Sequence, residues 1–250
     1  MLSRVKGRVA VISGASDEVA TAIALQLSSA GATTILCAKD VNQLDAVAAK
    51  LKAAGGKAEA FAVDLYDPQA VEGFVKQIVA QHGRIDILVN NGPDPQKKAL
   101  GELTVDDFNA TVSMSLSSQF HFMREVVPIM QKNSGGRVVN ISSLAYLGVP
   151  NNADAAAAKA GLFGLTRSTA LEAARNGVTV NCVVKGDIAS AATAAEEQTK
   201  TASGIPVKRI GSPADVAYAV GFFASDSADY VTGQTFFVCG GKSVYFSMSV

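Results

Sequence analysis

The stretch Val9-Ala10-Val11-Ile12-Ser13-Gly14-Ala15-Ser16-Asp17-Glu18-Val19-Ala20 decides the fold. A run of branched apolar residues stops at serine and glycine, and a helix-length segment, residues 18–30, follows at once, so the order is strand, tight turn, helix. Similar runs recur at residues 33–37, 60–63, 87–89, 138–141, 178–183 and 235–238. They are apolar on both faces, as strands buried in a parallel sheet are. Helix-length segments lie between them at 42–54, 68–82 and 106–132, the first standing behind Asp40 as its N-cap. Regular alternation of strand and helix requires right-handed crossovers and predicts a doubly wound parallel α/β sheet whose ligand site lies beyond the carboxyl ends of its strands. Alanine-rich stretches at 153–158 and 189–195 suit a helix start and a mobile loop respectively. With no internal repeat and no linker, residues 1–250 read as one domain.

Composition narrows the partners. Lysine plus arginine and aspartate plus glutamate number 22 each, and His82 and His121 are the two histidines. A balanced chain lacks the basic footprint of nucleic-acid binding or of contact with an acidic membrane, so neither partner is expected. Cys37, Cys182 and Cys239 are far apart, odd in number and set in strand-like flanks. That pattern suits reduced, buried thiols, with no metal and no disulfide, in a cytoplasmic protein. The start, Met1-Leu2-Ser3-Arg4-Val5-Lys6, leads into a strand without the apolar segment of a secretion signal, and no later apolar run reaches membrane-spanning length.

Val11-Ile12-Ser13-Gly14-Ala15-Ser16 resembles the glycine-rich turn of short-chain dehydrogenases/reductases, and Ile85-Asp86-Ile87-Leu88-Val89-Asn90-Asn91 resembles their fourth strand. Val139-Asn140-Ile141-Ser142-Ser143 is similar to the fifth strand with its catalytic serine, and Ala158-Lys159-Ala160-Gly161-Leu162 to the segment carrying the catalytic lysine. Val180-Asn181, Arg209-Ile210-Gly211-Ser212-Pro213, Tyr230-Val231-Thr232-Gly233-Gln234 and Gly240-Gly241 keep the family's C-terminal order, so the resemblance spans nearly the whole chain. It implies a Rossmann-type, doubly wound, seven-stranded parallel sheet in a single domain, with dimers or tetramers as the usual assembly.

Against that pattern the cofactor turn departs at two places. The family's G-x-x-x-G-x-G lets backbone amides at a helix N-terminus approach a pyrophosphate. Gly14 is kept, whereas Glu18 and Ala20 stand where the other two glycines would be, with Asp17 beside them. Two unit negative charges about 4 Å apart repel by roughly 4 kcal/mol at an effective dielectric of about 20, about a thousandfold in affinity. Structurally, such acids favour the positive end of the helix dipole. Asp64 falls where the family contacts adenine, although a strand-end aspartate also organises turns. Asn90 belongs to the same degenerate cofactor set. Ala38-Lys39 ends the second strand as in NADP-type pockets, or leaves Lys39 simply solvated. Gly92-Pro93 and Lys185-Gly186 replace the family's Ala-Gly and Pro-Gly at the nicotinamide side.

The catalytic set departs further. The resemblance places the family's proton-transferring tyrosine four residues before Lys159, and Ala155 stands there, in Ala155-Ala156-Ala157-Ala158 behind Asp154 as a helix cap. A positioned acid or base contributes about 10² to 10⁴ in rate. Ser115 occupies the place of the family's helix asparagine, and Ser142 and Ser143 both qualify as the remaining serine. Tyr146, over the site, is a candidate replacement acid with Ser143 and Lys159, or a packing residue. A Ser143-Lys159 hydrolase dyad lacks an oxyanion-hole motif.

The helical segment carries two apolar stripes, Val112, Leu116, Phe120, Met123, Val127 and Met114, Phe122, Val126, Ile129, which predict two buried faces, one on the sheet and one on a neighbouring subunit or in the core. Val244-Tyr245-Phe246-Ser247-Met248 is also apolar enough to be covered. Scaffold and assembly elements match the family; the phosphate turn and proton donor do not. The resemblance therefore implies a non-catalytic subunit in a hetero-oligomer, a heterotetramer, with a homologous active subunit. NAD is expected in that partner, with no cofactor, or only a weakly held one, here. A ligand-binding regulatory module is the alternative outside catalysis.

Overall fold

The computed structural model describes residues 5–247 and shows a three-layer α/β sandwich. β1 (Val9–Ser13) leads through the glycine turn into α1 (Glu18–Ser29), then β2 (Thr33–Ala38), α2 (Val41–Ala53), β3 (Lys57–Ala62), α3 (Pro68–His82) and β4 (Ile87–Asn90). There follow α4 (Val105–Val112), a π-helical turn (Ser113–Ser117), α5 (Ser118–Lys132), β5 (Gly136–Ser143), a 3₁₀ turn (Leu144–Leu147), α6 (Ala153–Ala173) and β6 (Val178–Lys185). The chain closes with α7 (Ala195–Ser203), α8 (Pro213–Ala224), β7 (Thr235–Val238) and α9 (Lys242–Ser247). The strands form one parallel sheet in the order β3-β2-β1-β4-β5-β6-β7. The order reverses between β1 and β4, and the crevice at that switch point is where such sheets take ligands.

The two faces of the sheet bury separate apolar layers. On one, Val19, Ile23 and Leu27 of α1, Leu44 and Leu51 of α2, and Val216, Val220 and Phe223 of α8 pack against Ile12, Leu36 and Ile141. On the other, Phe74 and Ile78 of α3 and Phe122, Val126 and Met130 of α5 pack against Val11, Leu88 and Val138. Phe122 is fully buried and meets Phe74 edge to face at 6.1 Å, an aromatic geometry favoured by the ring quadrupoles. Residues 5–247 contain no helix long and apolar enough to cross a membrane, and no cluster of three or more potential metal ligands occurs among them.

Four sequence expectations need adjustment. The helix expected over 106–132 is interrupted by the π turn, which inserts extra backbone beside the site, and Pro128 lies within its second half. The paired stripes are consequently rotated: Phe122, Met123, Val126, Val127 and Met130 are buried, while Phe120 is exposed. Asp154 is not a cap; α6 starts two residues earlier than that cap would place it, at Ala153 after Asn152, and Asp154 lies buried in the first turn, accepting the Thr111 hydroxyl at 2.6 Å. The stretch 189–195 holds a Ser190-Thr193 turn and enters α7. Met1 to Arg4 and Met248, and the side chains of Tyr245, Phe246 and Ser247, lie outside the described residues, so the expectations for both ends of the chain are not addressed.

Candidate functional site

The β1–α1 turn can only be built with glycine at its first position. Gly14 has φ +64°, and a Cβ there would lie 2.2 Å from the Asn91 carbonyl oxygen. Asn91 is drawn in from the other side, donating through Nδ2 to the Gly14 carbonyl at 3.0 Å and to Asp17 Oδ2 at 3.1 Å. Asp17 is the N-cap of α1, its Oδ1 accepting the Ala20 amide at 2.7 Å. A first-turn donor that would otherwise be orphaned thus has a carboxylate of the chain itself. Glu18 reaches the other way: its two carboxylate oxygens accept the Ala191 amide at 2.9 and 3.2 Å, fastening the β6–α7 loop to the start of α1. Ala20 is fully buried in the α1 face of the core, where its methyl packs.

Beside this turn a cavity of about 250 Å³ is lined by Gly14, Asp17, Ala38, Lys39, Tyr66 and Asn91, among others. Asp64 takes the turn-organising role: Oδ1 accepts the Tyr66 amide at 3.0 Å, and Oδ2 also lies 3.4 Å from the Lys39 ammonium. Lys39 is largely exposed, so this pair is worth little. Asn90 is fully buried and committed internally. It accepts from Ser13 Oγ at 3.1 Å and donates to Asn140 Oδ1 at 2.9 Å, and Asn140 in turn donates to Thr166 Oγ at 3.0 Å. Buried amides so satisfied tie β1, β4, β5 and α6 together.

At the catalytic end, Ala155 and Ser143 line a second cavity of about 270 Å³ with Asn152, Gly186 and Asp187. The space where a phenol would project is open. The two candidate serines separate cleanly, because Ser142 is buried and donates to the Lys159 carbonyl at 3.1 Å, whereas Ser143 faces the cavity and donates to Asp94 Oδ1 at 2.9 Å. Lys159 is completely buried and donates to the Gly92 and Pro93 carbonyls at 3.4 and 3.3 Å. Its ammonium lies 3.5 Å from Asp94 Oδ1, and the Lys185 ammonium lies 3.0 Å from Asp94 Oδ2. Burial, the larger influence, pushes the Lys159 ammonium below its ordinary value, while Asp94 pulls it back up. Asp94 itself is held below the usual carboxylate range: burial would raise it, and Lys159, Lys185 and the Ser143 hydroxyl together outweigh that. Ser115 is buried on the π turn and donates to the Pro93 carbonyl at 3.2 Å, so it fixes the same loop.

Tyr146 turns from the cavity. Its ring packs edge to face on Phe163 at 4.8 Å and tilts against Phe237 at 5.8 Å, and burial raises its phenol above the ordinary value, away from a useful acid. Asp94 and Lys185 are the site residues that sequence reasoning did not assign. The visible signals were an acid directly after the altered Gly92-Pro93 pair and a lysine ending β6. The arrangement can hold an anion among fixed donors; Ala155 places no phenol beside the open space, and the Ser143 hydroxyl and Lys159 ammonium are engaged by Asp94 and the Gly92 and Pro93 carbonyls.

A family model described as enoyl-(acyl carrier protein) reductase matches residues 14–243. The chain is 50% identical to the (2S)-[(R)-hydroxy(phenyl)methyl]succinyl-CoA dehydrogenase subunit BbsC of Thauera aromatica, over 100% of both chains. It is 35% identical to subunit BbsD of that dehydrogenase, also from Thauera aromatica, over 96% of this chain and 98% of the relative. The crystal structure of levodione reductase superposes with a TM-score of 0.90 at 28% identity, covering 96% of this chain and 98% of that one. With its seven-stranded sheet order, and with a family model and relatives that match nearly its whole length, the chain belongs to the short-chain dehydrogenase/reductase family.

Proposed function

We propose that this chain is a non-catalytic subunit of a hetero-oligomeric, NAD(P)-dependent dehydrogenase that oxidises a hydroxyacyl-CoA of the 2-[hydroxy(phenyl)methyl]succinyl-CoA type in anaerobic toluene degradation. A homologous short-chain dehydrogenase subunit carries the NAD and performs the chemistry, in a heterotetramer. The observation that carries this is Ala155 beside a fully buried Lys159 whose ammonium is already taken by two backbone carbonyls and Asp94. Without a phenol to act on, such a lysine cannot promote proton transfer.

The residues present do not fit a dinucleotide. Asp17 caps the helix end that would face a pyrophosphate, Glu18 adds a second carboxylate there, and its contact with Ala191 draws the β6–α7 loop over the turn. What the chain contributes is a rigid scaffold with exposed apolar side chains for assembly, among them Phe120 on α5, Leu171 on α6, and Tyr218 and Phe222 on α8. The likeness to two subunits of one dehydrogenase supports the partnership.

The test is co-expression of this chain with a homologue that retains the tyrosine-lysine pair, followed by calorimetric titration with NAD(H) and by turnover assays on each chain alone and on the complex. We expect co-purification, nucleotide binding and turnover in the complex, and neither binding nor turnover by this chain alone. Turnover by the isolated chain refutes the proposal.

A further inference from the structure

We propose that Ser143, Lys159 and Lys185 form a carboxylate-binding site that the chain fills with its own Asp94. The inference stands on the geometry of these four residues and does not depend on the absence of turnover.

The donors belong to rigid elements, Ser143 and Lys185 to the ends of the paired strands β5 and β6, where they lie opposite each other in register, and Lys159 to α6. They are deeply placed, the Lys159 side chain being 0% exposed and that of Lys185 13% exposed. The acceptor is different in kind. Asp94 sits on the irregular segment after β4, its side chain is 43% exposed, and it borders the 270 Å³ cavity that opens beside Ala155. A hydroxyl and two ammonium groups converge on its two carboxylate oxygens at 2.9, 3.0 and 3.5 Å. Fixed, buried donors around a tethered, half-exposed acceptor are the parts of a binding site and its occupant.

Electrostatics requires an occupant. Two ammonium groups that repel each other at the end of a parallel sheet, one of them wholly buried, are costly unless an anion lies between them. The Gly92 and Pro93 carbonyls engage Lys159 but carry no net charge, which leaves Asp94 as the anion. A formate or acetate ion has the same two-oxygen geometry as the Asp94 head group, and the cavity gives it a way in. This also explains why Ser143 and Lys159 persist beside Ala155: they hold the loop through its carboxylate.

The experiment is thermal unfolding of full-length Asp94→Ala and of the parent chain in formate, acetate and chloride at matched ionic strength. The variant should melt below the parent in chloride and recover in formate or acetate, by about 3–6 °C at tenfold excess over the dissociation constant. The parent should respond to the three salts alike. Adding Lys185→Met to Asp94→Ala should abolish the carboxylate response. If Asp94→Ala aggregates, refolding yield in formate against chloride replaces the melting point, with the same expected order. Equal behaviour in carboxylate and chloride, or a response as large in the parent, overturns the proposal.

Discussion

Substituting Gly14 by alanine separates two reasons for which a phosphate-turn glycine could be retained. If nucleotide contact kept it, alanine would do little to a chain without nucleotide. The structure predicts otherwise, since Gly14 has φ +64° and its added Cβ would stand 2.2 Å from a backbone oxygen that cannot rotate away. The left-handed conformation costs a residue with a Cβ about 1–2 kcal/mol, and forcing the neighbouring strand aside costs about 1–3 kcal/mol more. The displaced group belongs to Asn91, whose amide donates to Ser13 at 3.1 Å and whose side chain holds Gly14 and Asp17. A total of about 2–5 kcal/mol is a large share of the stability of a typical domain and lowers the melting point of a chain this long by about 4–20 °C. The assay is differential scanning calorimetry without nucleotide. Ala20→Gly is the comparison: Ala20 is in a helix, and the change removes one buried methyl and some helix propensity, about 2 kcal/mol together. Gly14→Ala melting within about 1 °C of the parent would refute the steric account and return the glycine to a ligand-binding role.

Other perturbations follow from single contacts. Thr111→Val removes the hydrogen bond to Asp154 Oδ2 inside the protein, where Oδ1 already has no hydrogen-bond partner; a loss of about 1–3 kcal/mol is expected in urea unfolding. Tyr146→Phe should leave turnover of the assembled dehydrogenase unchanged, because the ring is spent on Phe163 and Phe237; lost turnover would place chemistry on this chain. Lys159 has a folded-state pKa below its unfolded value of about 10.4, so between the two the unfolded chain binds the extra proton and stability rises with pH. Denaturant titrations at rising alkaline pH should show that increment in the parent and not in Lys159→Met.

The fold was legible because its signals are local. Branched apolar runs marked every strand to within a few residues, and Asp40 caps α2 with its side chain as its position predicted. The π turn was not legible, since apolar spacing carries through Ser113–Ser117 with only a rotation of the face presented. In the site, Ala155, Lys159 and the changed phosphate turn could be read by position. Asp94 could not, because its meaning depends on Lys159 and Lys185, which reach it only after β4, β5 and β6 have paired. Likewise Asp154 sits two residues from the capping position at Asn152, and its burial against Thr111 distinguishes the roles.

The Glu18 contact with Ala191 joins residues 173 positions apart, and it links the phosphate turn to a distant loop. Restoring glycine at position 18 would clear space for a phosphate and, in the same step, release the loop that the carboxylate holds. The strap therefore couples two regions distant in sequence: no substitution that removes the Glu18 carboxylate opens the turn without also freeing the β6–α7 loop.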